Sequence, residues 1–144
     1  MAVFDWTMPY TEAMATATKA LIAAGAKKVV LGGFSRGALV GLGVSPSLGS
    51  PIAGVFSVSG GPSPAEGFTT VASLSRFRGP ILLVGSVGDP LFPSKTTAAI
   101  AAAHSGPETI LTVPGTDHAL ALLEGPDAAR VQAALNRFLA QVLR

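Results

Sequence analysis

The chain contains no cysteine, which excludes disulfide staples, thiolate nucleophiles and cysteine-ligated metal. Charge is scarce as well. Asp, Glu, Lys and Arg make up 12% of the 144 residues, against about a quarter in an ordinary soluble domain. Ten Lys and Arg against eight Asp and Glu leave a net charge of +2. The densest basic spots are Lys27-Lys28 and the pair Arg76 and Arg78, so no nucleic-acid surface is expected. No apolar run approaches the ~18 residues of a membrane span, and "MAVFDWTMPY" lacks the basic start of a signal peptide. A cytoplasmic protein without a membrane partner is the expectation. With two histidines and no cysteine, no zinc cluster is expected. A P-loop lysine is missing, and read from Gly32 a dinucleotide fingerprint fails at its third place, Phe34. Neither metal nor cofactor is expected.

What the chain has in quantity is apolar surface: 49% hydrophobic residues and a mean hydropathy of +0.52. This suits either a sheet buried on both faces or a surface covered by a partner chain. The length suits a single domain spanning residues 1–144.

Short β-branched runs alternate with Ala- and Leu-rich segments. Val3-Phe4 reads as a short first strand. Residues 9–24 place Met14, Ala17, Leu21 and Ala24 at helical spacing, with Gly25 as the stop. "KKVVLGG" reads as a strand and "SRGALVGLGV" as a short helix. Strands follow at 52–60, 80–88 and 108–115, with one or two helical turns at 69–77 and a helix at 93–104. Pro126 opens a final amphipathic helix, 126–143. Continuous apolar strands joined by helices predict a three-layer α/β domain whose mainly parallel sheet has about five strands.

In such sheets, sites lie beyond the C-terminal ends of the strands. The residues there are Asp5, Trp6 and Thr7, then Ser35, Ser59, Asp89 and His118. One Ser, one Asp and one His thus follow different strands in that order. Gly33-Phe34-Ser35-Arg36-Gly37 fits G-x-S-x-G between a strand and a helix. Both glycines are expected to be bare so that strand and helix can pass closely. The Arg36 N–H, at the helix start, is placed to donate to an oxyanion. Asp89 also reads as a plain Asx turn or helix cap before Pro90. Asp117, Glu66 and Glu124 are weaker candidates for the acid. His104 ends a helix and reads as a solvated residue.

From Val29 to Arg144 the chain resembles the C-terminal part of an α/β-hydrolase, in the style of small dienelactone-hydrolase-like esterases. "GGFSRG" resembles the nucleophile elbow, "PILLVGSVGDPLFP" the acid-bearing strand and loop, and "VPGTDHAL" the loop that carries the histidine. The resemblance implies Ser35 as nucleophile, His118 as general base and then acid, and Asp89 as the group that holds the imidazole tautomer. It also implies a serine esterase that needs no cofactor and acts on small esters. A catalytically silent hydrolase-fold domain, or an acyl- or peroxide-transfer variant, are the alternatives.

The chain departs from the family in having about 28 residues before the nucleophile strand, where several strands usually stand. The H-G pattern that supplies a second oxyanion donor is absent, and each lost donor slows catalysis by roughly 10²–10³. A strand at Val3-Phe4 beside "KKVVLGG" would bring the N–H of Trp6 or Thr7 near Ser35 instead. Phe34, Trp6, Leu91 and Phe92 are candidate apolar walls of an open, lidless site. If the strands lie in sequence order, the terminal helix stands alone on one face of the sheet. That predicts a homo-oligomer, most simply a two-fold dimer.

Overall fold

The computed structural model describes residues 8–49, 51–61 and 74–144. In chain order they form α1 (Met8–Ala23), β1 (Val29–Phe34), α2 (Arg36–Leu48), β2 (Ile52–Val58), β3 (Ile81–Ser86), α3 (Ser94–Ala103) and β4 (Glu108–Val113). A 3-10 helix (Ala119–Leu123) and α4 (Ala128–Val142) complete the order. The four strands are parallel and lie in sequence order, β1-β2-β3-β4. The strand expected at Val3-Phe4 lies outside the described residues, as do most of the turns expected at 69–77.

Right-handed crossovers between sequence-adjacent strands put their helices on one side. Leu42 and Val44 of α2 and Ile100 and Ala101 of α3 accordingly pack on Leu31, Val55, Ile81 and Leu83 of the sheet. Met14 and Ile22 of α1 join the same layer. On the other face Val131, Phe138 and Val142 of α4, with Leu122 of the 3-10 helix, cover Val58, Leu82, Val84 and Val113. Val30, Phe34, Ala53 and Phe56 stay half-buried there. Among the described residues, α4 and the 3-10 helix are what covers this face.

The strand sequences match their places. "ILLVGS" of β3, the run with no polar interruption until its end, is buried at every position. It lies between two neighbours. "ETILTV" of β4 alternates and forms an edge, where only Val113 is fully buried. Leu82 and Leu83 are within 1% of full burial, so truncating either to Ala would cost about 2–5 kcal/mol.

Helix α2 runs four residues past the expected "SRGALVGLGV" and takes Pro46 into its last turn. Proline lacks the N–H that the carbonyl four residues earlier requires. That carbonyl, on Leu42, accepts the Ser45 hydroxyl at 2.9 Å instead. The neighbouring Ser47 hydroxyl donates to Val44 in the same way, at 2.8 Å. The serines flanking the proline keep the turn closed.

His104 differs from its sequence reading. Helix α3 runs back from the C-terminal to the N-terminal ends of the strands, and its last turn delivers the ring to the floor of the sheet. It is 9% exposed and lies 6.1 Å from the Phe77 ring. Neither ring nitrogen has a hydrogen-bond partner. Burial holds His104 below the ordinary histidine range. The Glu108 charge and the backbone of Gly79 and Phe77 pull the other way without closing a hydrogen bond.

Candidate active site

Strand β1 hands over to α2 through one residue, Ser35, whose φ of 51° and ψ of −119° lie outside the ordinary regions for a side-chain-bearing residue. Such a conformation costs roughly 1–3 kcal/mol and persists only where neighbours enforce it. Here the Ser35 N–H donates to Val58 at 2.9 Å, while its carbonyl accepts the N–H of Ala38 and of Leu39. Gly33 is required by close approach: a Cβ there would stand 2.5 Å from the Gly37 carbonyl carbon. Gly37 departs from the expectation of a matched pair, since a Cβ on it would meet nothing within 4 Å. The crowding at this turn runs one way.

Asp89 follows β3 and is 2% exposed. Its Oδ1 accepts the N–H groups of Leu91 at 2.9 Å and Phe92 at 3.0 Å, which is the Asx turn that the sequence offered as a plain reading. The other oxygen, Oδ2, accepts His118 Nδ1 at 2.7 Å. Both readings hold, one per oxygen. Burial by itself would raise this acid. The hydrogen bonds from Phe92, His118 and Leu91 outweigh it and keep the carboxyl below its ordinary value.

His118 stands between β4 and the 3-10 helix, with its side chain 23% exposed. A carboxylate only accepts, so Nδ1 carries a proton, and in the neutral tautomer this leaves Nε2 bare. That nitrogen lies 2.8 Å from Ser35 Oγ, whose hydroxyl it accepts in this tautomer. The Phe92 ring stacks near the imidazole, centroids 6.2 Å apart at 25°. Asp117, the acid adjacent in sequence, aims its carboxylate at Gly125 instead. The structure therefore brings Ser35, His118 and Asp89 into one hydrogen-bonded line across the ends of three strands.

Residues 7–120 match the family model described as phospholipase/carboxylesterase. The chain belongs to that family. No curated protein matches it in sequence. The fold of this carboxylesterase-family chain is similar to the esterase domain of a Rhodothermus marinus protein, with a TM-score of 0.80 and 20% identity over 93% of this chain and 69% of that one. It is also similar to a Paleococcus ferrophilus monoacylglycerol lipase (TM-score 0.78, 14% identity, 91% and 75% covered). A third similar structure is an alpha-beta serine hydrolase homologue from Coxiella burnetii (TM-score 0.73, 23% identity, 96% and 62% covered).

The remaining candidates are scattered around the line. Arg36 opens α2 next to the serine. Leu91 is 63% exposed beside Phe92. Phe34 packs edge-on against Phe56, 6.2 Å away, on the face of α4. Trp6 and Glu66 lie outside the described residues, and Glu124 is exposed. Sequence reasoning missed a largely apolar cleft of about 590 Å³ beside the β1–α2 turn, lined by Tyr10, Met14, Ala17, Arg36, Gly37 and Val40. The open side of Gly37 forms part of this cleft, and no linear motif signals it. Among the described residues, no cluster of His, Asp and Glu suits a metal ion, and no helix is long and apolar enough to cross a membrane.

Proposed function

We propose that this carboxylesterase-family chain cleaves small carboxylic esters through an acyl-enzyme on Ser35. The observation that carries the reading is the pair of hydrogen bonds on His118, 2.8 Å to Ser35 Oγ and 2.7 Å to Asp89 Oδ2. Ser35 Oγ attacks the ester carbonyl carbon while its proton passes to His118 Nε2. The imidazolium so formed is stabilised by the Asp89 carboxylate, which stays ionised. Negative charge gathers on the carbonyl oxygen, where the Arg36 N–H at the start of α2 donates to it. The intermediate collapses, its C–O bond breaks, and the alcohol leaves with the proton from Nε2. Water then repeats the sequence on the acyl-enzyme, releases the acid and restores Ser35.

The cleft beside Gly37 would take the hydrocarbon part of the ester, with Phe92 and Leu91 at the histidine side. Turnover of p-nitrophenyl acetate and butyrate tests the reading. The wild type is expected to hydrolyse both, and Ser35→Ala neither, with an unchanged thermal melt. A folded wild type without turnover points to a silent hydrolase-fold domain. Release of p-nitrophenol only with an added alcohol or peroxide acceptor points to transfer.

The half-covered face carries a second proposal, the two-fold dimer. Sedimentation at micromolar concentration is expected to give twice 14.4 kDa; a soluble monomer there rejects it.

A further inference from the structure

His118 sits on a connection between a strand and a short helix, yet it must hold two hydrogen bonds at once. Its backbone is gripped on both sides by side chains from other strands. The Ser86 hydroxyl, on the last residue of β3, donates to the Asp117 carbonyl at 2.7 Å. The Ala119 N–H donates to the hydroxyl oxygen of Ser59, just past β2, at 2.9 Å. The Asp117 carbonyl belongs to the peptide unit before the His118 Cα, and the Ala119 N–H to the unit after it. With both flanking units tied to the sheet, the direction of the His118 Cα–Cβ bond is set.

Both serines are fully buried, at 0% exposure, so neither touches solvent or substrate. A buried hydroxyl is unfavourable unless bonded, and these two spend their bonds on the histidine loop. Strain points to the same place: Ser59 and Ala119 both have positive φ, 51° and 54°. Such values are costly for residues that carry a side chain and persist where neighbours enforce them.

We infer that Ser59 and Ser86 are positioning residues that aim the His118 imidazole between Asp89 and Ser35. The inference rests on the proposed triad for its effect on rate, but the orientation of the ring is measurable without turnover. The experiment compares wild type, Ser59→Ala, Ser86→Ala and, as a control, Ser45→Ala. Ser45 is an equally buried serine whose hydroxyl bonds a backbone carbonyl within α2. Three quantities are read: the downfield proton resonance of His118 Nδ1, the kcat and KM for p-nitrophenyl acetate, and the rate of Ser35 labelling by a fluorophosphonate.

The expected result is a resonance that shifts upfield or broadens in Ser59→Ala and Ser86→Ala, with kcat and labelling down about tenfold or more and KM within twofold. Ser45→Ala should lower only the melting temperature. An unmoved resonance in both serine variants overturns the inference, as does an equal loss of kcat in Ser45→Ala. A displaced resonance in a protein whose wild type neither turns over ester nor takes the label upholds the clamp and rejects the proposed function.

Discussion

His118 and His104 each follow the end of an element, and each is at least partly withdrawn from water, yet their rings meet opposite conditions. At the C-terminal ends of the strands, His118 has a partner on each nitrogen. At the N-terminal ends, His104 is more deeply buried and has no partner on either. The first ring is held in one tautomer, with a bare nitrogen facing a hydroxyl. The second is an aromatic filler against Phe77, kept neutral by its surroundings. Burial alone therefore says little about chemistry. Directed bonds, not burial, are what fix a histidine's tautomer and the direction of its ring.

Removing each ring in turn separates the two histidines by the largest margin. His118→Ala is expected to lower kcat for p-nitrophenyl butyrate by roughly 10⁴–10⁶. His104→Leu should leave kcat within about twofold. Comparable losses in steady-state assays on the two folded variants would erase the distinction. Asp89→Asn comes next. An amide at this position can donate to Nδ1 and so favours the wrong tautomer, and kcat should fall by about 10⁴ with the fold retained. A loss below tenfold would mean that another group orients the ring.

The smallest effects lie in acid stability, where the sign can be worked out for each group. Because His104 is held below its ordinary value of 6.5, the unfolded chain takes up a proton there that the native state refuses. Stability then falls as pH drops below about 6.5, and the melting temperature of His104→Leu should be flatter from pH 7 to 5. Asp89 is held below its ordinary 3.8, so its contribution is complete above that value. It is lost only as pH falls through the native value. Asp89→Asn should remove that lower limb and leave the upper one. Melting curves from pH 7 to 2 separate the two.

Much of this was legible in the sequence because strong local signals agreed. The β-branched runs at 29–34, 52–58, 81–86 and 108–113, the last three each preceded by a proline, are strands, and the strand-then-helix setting of Ser35 fixed where a hydroxyl would stand. The 3-10 helix at Ala119–Leu123 escaped because five residues carry no readable period. The extension of α2 escaped because the usual rule stops a helix before proline, whereas serine hydroxyls here replace the missing bond. His104 was misread because a helix end usually faces water, and nothing local announces that Phe77 closes over it. Ser59 and Ser86 had the same limitation: a serine at a strand end reads alike whether or not it holds a loop 60 or 31 residues away.

The sequence-ordered sheet has a consequence for how the molecule assembles. Among the described residues, each strand pairs with its neighbours in the chain, so the sheet can grow by successive short loop closures. The bond from Ser35 to His118 instead spans 83 residues and needs the first and last described strands in place together. Closing a long loop is slow compared with local pairing. On the proposed mechanism, ester turnover therefore reports that the described strands are all in place. During refolding, far-ultraviolet circular dichroism should recover ahead of activity, and the lag between them times the docking of β4.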